Sequence, residues 1–358
     1  MLTIALIFGG RSAEHEVSLN SARCLAAALD PERYQIVPVG ITRDGRWLLP
    51  DDLASASRDG LEVARSQPVA LLPDPSRPGL VVGDGERVIP IDVVFPVLHG
   101  PYGEDGTVQG LFELAGLAYV GAGVAASAVG MDKELMKAVF AHVGLPQVDY
   151  VVARDRGGDI AGVVAEVEAD FAYPLFVKPV NLGSSVGIGK AHDAAELAAM
   201  LKVAFSFDRK VIVEAFADGR EVECAVIGNE VPDVSVPGEI LPANEFYDYE
   251  SKYTEGRMAF VAPAPLDDAQ AAEVRRLAAA AFKAIDCAGY ARCDFFVDRA
   301  GGRVLVNEIN TLPGMTEMSG FPKLWQATGL AYPAMVDRLV SLAVSRHAAR
   351  STLRASRS

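Results

Sequence analysis

The chain has 358 residues, 50% of them apolar and 22% charged, enough for two or three packed domains and too hydrophobic for a disordered chain. Asp and Glu outnumber Lys and Arg by 47 to 33, a net charge of −14, which is the wrong sign for binding nucleic acid through the protein's general field. A local basic pocket for a small anion stays compatible with that balance.

The apolar run 2–8 has no basic flank and leads at once into Gly9-Gly10-Arg11, so it predicts a buried strand and not a secretory signal. Leu19, Ala22, Ala26 and Leu29 recur on one face and predict a helix over 18–29, stopped by Asp30-Pro31. Strands follow at 36–41 and 93–98, with a hairpin turn at Asp44-Gly45. The stretch 51–87 is rich in Pro, Gly and Asp and is expected to be peripheral decoration. The uncharged stretch 114–131 carries Gly116, Gly121, Gly123 and Gly130, and it predicts a strand, a turn and a helix start in place of a membrane span.

Strands alternating with helices make the first third a doubly wound, Rossmann-like parallel sheet. From about residue 124 the pattern changes to α+β: a helix over 132–143, a hairpin of 174–179 with 188–191, a helix to 205 opened by a capping box at Asp193 and Glu196, and short strands at 210–214 and 221–226. Strands at 290–298 and 303–310 flank Gly301-Gly302, and an amphipathic helix spans 333–346. The domain expectation is 1–123 for substrate, 124–212 and 213–347 for two further units, and a disordered tail over 348–358. The four cysteines lack any C-x-x-C spacing and predict free thiols in a reducing cytoplasm.

The strongest chemical signal lies near the C-terminus. Arg292 and Asp294 are two apart on one strand, Glu308 and Asn310 two apart on the next, so each pair shares a face. A turn near Gly301 puts Asp294 opposite Glu308, with Arg292 and Asn310 adjoining. Opposed carboxylates repel unless a cation lies between them, and this oxygen set suits Mg²⁺ or Mn²⁺. An ordinary polar sheet face is the plain alternative. Lys178, ending a strand before Gly183-Ser184-Ser185-Val186-Gly187, offers cationic and N–H donors to phosphate. This is no Walker A loop, which would need Gly at 184 and Ser or Thr at 191, where the chain has Ser184 and Ala191. Gly121-Ala-Gly123 imitates a dinucleotide fingerprint but lacks the later ribose-binding acid, so it reads as a tight turn and argues against a nicotinamide dehydrogenase. Glu14 follows the first strand, where open α/β sheets bind ligands, and can hold a substrate ammonium. His99, at another strand end, is placed to orient it. No G-x-S-x-G elbow supports a serine hydrolase.

Together the stretches 9–21, 99–106, 131–133, 178–187, 246–253, 291–296 and 307–319 resemble the D-alanine–D-alanine ligases of the ATP-grasp superfamily, in the family's order and over most of the chain. The resemblance implies an ATP-grasp fold behind the first domain and ATP-dependent joining of two D-alanines, through a D-alanyl phosphate, for the bacterial cell wall. It implies that Lys133 and Lys178 meet the phosphates of ATP under the 183–187 loop with Ser184, Ser185 and Val186. Glu214 and Phe216 would lie at the adenine and Glu221 at the ribose, with Ala215 where some relatives carry lysine. Asp294, Glu308 and Asn310 would hold two magnesium (or manganese) ions. Glu14, His99, Lys252, Tyr253 and Ser319 would contact substrate or nucleotide, Tyr253 closing a 239–256 lid against Ser184. Arg292 and the N–H of Gly314 would stabilise the oxyanion. A homodimer is implied as well. Two competing readings are a non-catalytic nucleotide-binding regulatory module, expected to have lost Arg292, Glu308 or the lid tyrosine, and an ATP-grasp ligase with another acceptor such as D-lactate.

Overall fold

A computed structural model of the chain describes residues 1–53, 66–85, 87–183, 186–242 and 258–353. Three sheets follow one another along the sequence. The first contains β1 (Leu2–Gly9), β2 (Tyr34–Ile41), β3 (Trp47–Pro50), β4 (Ser66–Leu71), β5 (Gly79–Val82), β6 (Arg87–Pro90), β7 (Val93–Val97) and β8 (Ala118–Tyr119), in the order β6-β5-β4-β3-β2-β1-β7-β8. β1 is parallel to both β2 and β7, and Ile4 to Phe8 have no exposed surface, as a central parallel strand covered on both faces requires. The helix His15–Ala28 starts three residues earlier than its apolar spacing suggests, because Glu14 already closes the turn out of β1. Gly9 makes that turn at φ +87, where a Cβ would lie 2.3 Å from the Ile41 carbonyl oxygen.

The expectation for 51–87 needs correction. β4, β5 and β6 extend the first sheet in antiparallel order beyond the Asp44-Gly45 hairpin. These strands bury few side chains, Val69 and Leu71 on one and Leu80 and Val82 on the next. Runs so short, interrupted by Pro and Gly, carry too few periods to stand out in the sequence.

The second sheet is β9 (Tyr150–Arg154), β10 (Leu175–Pro179), β11 (Gly189–Ala191) and β12 (Lys210–Ala215), all antiparallel in the order β11-β10-β12-β9. The helices Ile160–Asp170 and Ala194–Phe205 cover it. Asp193 caps the latter through the Glu196 N–H, while Glu196 reaches back to the His192 N–H, one residue before a full capping box. The third sheet is β13 (Gly219–Gly228), β14 (Asp233–Val234), β15 (Gly238–Pro242), β16 (Met258–Val261), β17 (Gly289–Asp298) and β18 (Val304–Asn310), ordered β16-β15-β13-β17-β18 with β14 beside β13. The helix Asp268–Ala284 packs on its inner face against Cys224, Cys293, Phe295 and Val306. Cys224, Cys287 and Cys293 are buried, and all four cysteines are free thiols.

The last helix returns to the first sheet. It runs Tyr332–Ser351, so residues 348–351, expected in a disordered tail, are helical. Arg350 pairs with Glu113, and Arg346 stacks on Tyr119 while donating to the carbonyls of Tyr119 and Gly121. Capping carbonyls with Arg near the helix end, together with this stacking, holds a segment whose sequence looks like a solvated tail. The Gly121-Ala-Gly123 turn has a packing role here: a Cβ at Gly289 would lie 3.0 Å from the Gly121 backbone. Among the described residues, no helix is long and apolar enough to cross a membrane.

Candidate active site

Between the second and third sheets lies a cavity of about 320 Å³, lined among others by Lys178, Glu214, Phe216, Glu221, Arg292, Asp294 and Glu308. On the third sheet, Arg292 faces Asn310 and Asp294 faces Glu308, the register expected from the sequence. The route to that register is less direct. Strand pairing from Val297↔Val304 to Phe295↔Val306 is regular, and a bulge at Asn307 then shifts it by one residue. Without the bulge Asp294 would face Asn307 and Glu308 would turn into the core. With it, Asn307 and Glu308 both line the cavity.

Cations already neutralise these acids. Arg292 donates through Nε and Nη2 to the two oxygens of Asp294, each at 2.7 Å, and its Nε lies 3.2 Å from Glu223 Oε1. Lys133 Nζ is 3.6 Å from Glu308 Oε2 and donates to the Leu182 carbonyl at 2.8 Å. Asn310 accepts from the Leu312 N–H at 3.0 Å. The donor set of two carboxylates and an amide fits a hard divalent cation. Among the described residues, no cluster of three or more His, Cys, Asp or Glu could hold a metal alone, so phosphate and water oxygens would have to complete the shell.

Lys178, from β10, reaches the cavity and lies 2.5 Å from Glu214 Oε2 and 3.4 Å from Asn307 Oδ1. Glu214, expected at the adenine, lines the same cavity as Phe216. Its other oxygen pairs with Lys137 at 2.8 Å. Burial alone would push this carboxyl up, but Lys178 and Lys137 outweigh it and hold it at about 2. Phe216 stacks on Phe176 with ring centroids 6.2 Å apart, and Lys190 Nζ lies 4.5 Å over its outer face. The cavity edge at Phe216 thus has a cation from β11, two strands away from β12.

At the C-terminal end of the first sheet, Glu14 stands where the helix begins, and a Cβ on Gly100 would be 3.8 Å from its Oε2. His99 does not orient it. His99 Nδ1 donates to the Leu312 carbonyl at 3.0 Å, and Nε2 has no hydrogen-bond partner among the described residues. The acceptor carbonyl fixes the tautomer and ties the first sheet to the loop after β18. Beside it, Glu104 is buried and accepts from the Gly100 N–H at 2.6 Å. Burial and the neighbouring Glu14 push its carboxyl up to about 8, against the Gly100 N–H and Lys133. Beyond β18, Ser319 precedes the helix Gly320–Ala327, and its hydroxyl lies 2.8 Å from Thr316 Oγ1. Gly314 packs so close that a Cβ there would be 2.9 Å from Ser319 Oγ. Val186 follows β10 in a turn, its N–H bonded to the Gly183 carbonyl at 3.2 Å. Ser184, Ser185, Lys252 and Tyr253 lie outside the described residues, as does most of the expected lid.

Sequence reasoning missed Lys137, Glu104, Glu223 and Asn307. Lys137 had a readable signal: it is four residues from Lys133 on one helix, on the face that buries Met136 and Phe140. A lysine on such a face needs a buried anion.

A doubly wound first sheet ahead of two antiparallel units that enclose a lysine- and acid-lined cavity defines an ATP-grasp ligase. Comparison with known proteins narrows the class. The model "D-ala D-ala ligase N-terminus" matches residues 3–122, and "D-ala D-ala ligase C-terminus" matches 139–341. The chain is 50% identical over 349 residues to the D-alanine–D-alanine ligase of Heliobacterium modesticaldum, covering 96% of this chain and 95% of that one. It is 46% identical over 361 residues to the same enzyme of Acetivibrio thermocellus, covering 96% of each. Among solved structures, the VanG D-Ala:D-Ser ligase of Enterococcus faecalis aligns with a TM-score of 0.87 at 37% identity, covering 96% of this chain and 99% of that one. The D-alanine–D-alanine ligase of Coxiella burnetii aligns at 0.84 and 36%, covering 98% and 97%. The chain belongs to the D-alanine–D-alanine ligase family, whose members are ATP-dependent ligases.

Proposed function

We propose that the chain joins two D-alanine molecules at the expense of ATP, and that the residues above divide the work as follows. A carboxylate is a poor electrophile and its oxygen a poor leaving group. The first D-alanine, its ammonium held by Glu14, therefore attacks the γ-phosphorus through a carboxylate oxygen. The bond to the β–γ bridging oxygen breaks, releasing ADP and leaving a D-alanyl phosphate. Such a transfer needs positioning and charge neutralisation more than covalent help. Lys133 and Lys178 supply both from the side of the second sheet, with Ser184, Ser185 and Val186 of the glycine loop donating N–H groups. Glu221 takes the ribose, and Glu214 and Phe216 with the main chain beside them take the adenine. Magnesium or manganese held by Asp294, Glu308 and Asn310, two ions in this reading, would neutralise the phosphate oxygens.

The second D-alanine attacks the acyl carbon as a free amine, and inorganic phosphate leaves from the tetrahedral adduct. Arg292 and the Gly314 N–H face that oxyanion, while Ser319 holds the acceptor and Lys252 meets the nucleotide. Tyr253 closes the 239–256 segment against Ser184 and keeps water from the acyl phosphate. Three functional units, 1–123, 124–212 and 213–347, are the proposed division; its second boundary falls within β12, and the last helix runs on to Ser351. The free thiols accord with a cytoplasmic enzyme. A homodimer is the expected assembly, to be checked by light scattering.

One observation carries the reading: the register that sets Asp294 against Glu308 and Arg292 against Asn310 across from Lys133 and Lys178. Its support over a regulatory module is that Arg292 and Glu308 are both present and engaged, and that curated relatives bear the ligase name over nearly their whole length. The test is phosphate release from ATP with D-alanine as sole amino acid and L-alanine as control, followed by product analysis with D-serine and D-lactate as acceptors. Release with D-alanine alone, and dipeptide as the main product, is expected. Equal use of D-lactate at neutral pH would overturn the acceptor assignment.

A further inference from the structure

We propose that Glu223 is a positioning residue that holds the Arg292 guanidinium in place while Asp294 turns to a divalent cation. The inference rests on the function proposed above and concerns a residue to which that mechanism gives no role.

Glu223 on β13 faces Asp294 on β17, and Asp294 faces Glu308 on β18. Three carboxylates therefore stand in one row across three adjacent strands, on the face that lines the cavity. Arg292 lies one step along β17, opposite Ala225, whose methyl leaves room for the guanidinium to lean back over the row. Its Nε is shared: 2.7 Å from Asp294 Oδ1 and 3.2 Å from Glu223 Oε1.

The two carboxylates are not equivalent. Asp294 has both oxygens on Arg292 and belongs to the set that fits a hard cation. The guanidinium fork takes one lone pair of each oxygen, and a divalent cation on the same carboxylate repels the guanidinium, so the two cations compete for Asp294. Glu223 is 5% exposed, and its other oxygen packs against the start of the helix Gly320–Ala327. A Cβ on Gly320 would come within 2.4 Å of Glu223 Oε2. Glu223 is thus fixed by packing that owes nothing to Asp294. When Asp294 engages a cation, Arg292 keeps a fixed anionic partner on its far side, and its remaining N–H groups stay aimed at the reaction centre. Without Glu223, Arg292 would stay on Asp294 and compete with the metal.

Two variants test this, one removing the charge (Glu223→Gln) and one displacing the carboxylate with every charge kept (Gly320→Ala). For both, kcat for dipeptide formation is expected to fall about 10–100-fold, the usual cost of losing a group that orients a ligand or catalytic side chain. KM for ATP is expected to hold. Mn²⁺ binding in the presence of a non-hydrolysable ATP analogue, read by electron paramagnetic resonance, is expected to weaken by about 10-fold or more in Glu223→Gln. Melting temperatures check folding. If Glu223→Gln does not fold, Gly320→Ala alone decides by its kcat. Variants that merely melt earlier, with wild-type kcat and wild-type Mn²⁺ binding, would make Glu223 a structural residue and overturn the inference. Failure of the wild-type chain itself to form D-alanyl-D-alanine would instead strike the proposed function, so the two failures are distinguishable.

Discussion

The carboxylate of Glu214 is divided between two lysines: Lys137 Nζ lies 2.8 Å from Oε1 and Lys178 Nζ lies 2.5 Å from Oε2. All three groups are buried, so the set carries one positive charge in excess where water cannot compensate it. The excess has a use. In the proposed mechanism, Lys178 turning toward a phosphate would leave Lys137 to neutralise Glu214, so no bare anion would be left in the interior.

Lys137→Met is therefore expected to raise KM for ATP and to destabilise the apoprotein by up to about 3 kcal/mol, below the full cost of an unpaired buried charge because Lys178 remains. Lys137→Met with Glu214→Gln is expected to recover much of that stability in urea unfolding. Simple additivity of the two single losses would reject the coupling. The acid side follows from the same set. Glu214 is held at about 2 against an ordinary 4.5, so its contribution is present above about 4.5 and is lost as pH falls toward 2. Glu214→Gln is expected to flatten that part of the stability profile.

Glu104 behaves in the opposite sense. Burial first, then Glu14 and Glu308, push its carboxyl up from 4.5 to about 8. Between those values the folded chain keeps a proton that the unfolded chain has lost. Stability therefore falls as pH rises through that window, by at most about 1.4 kcal/mol per pH unit for one group. Glu104→Gln, neutral throughout and able to accept from the Gly100 N–H, is expected to remove this slope and to stabilise the protein most at the alkaline end. Urea titrations at several pH values between about 4.5 and 8 check it; parallel profiles for the two proteins across that window would refute the assignment.

Gly314 and Ser319 are close enough that a methyl on Gly314 would press on the Ser319 hydroxyl, 2.9 Å away. Gly314→Ala is expected to raise KM for the acceptor D-alanine more than KM for ATP, because it disturbs the Ser319–Thr316 pair beside the proposed oxyanion donor. Arg292→Ala removes the other donor, and a loss of about 10²–10³ in kcat is expected. Steady-state kinetics with each substrate varied separates the two effects; a common change in every constant from both variants would count against the division of roles.

The facing of Asp294 and Glu308 was legible because a β-hairpin is local: its turn at Gly301-Gly302 and the period of two fix which residues meet. The same locality made the capped helices, the buried first strand and the Asp44-Gly45 hairpin readable. It did not reveal the bulge at Asn307, since an extra residue leaves the alternation on both sides intact and only the pairing shows it. Nor did it reveal β4, β5 and β6, or that the last helix runs on to Ser351, since those elements take their stability from distant partners such as Glu113.

What the amino-acid order determined unaided was chemistry that neighbours in the chain can bring together: an acid-and-arginine hairpin, a lysine before a glycine loop, and an alternating first domain. Tertiary structure alone decided how those groups are charged and held. Lys137 reaches Glu214 from a helix to a strand across the second unit, Glu223 meets Arg292 only because β13 lies beside β17, and Gly320 leaves the space that fixes Glu223. The physical reason is range. Backbone period and turn geometry act over a few residues, whereas the burial that lets one carboxylate stay ionised near 2 and another hold its proton to about 8 exists only after the sheets have closed around them.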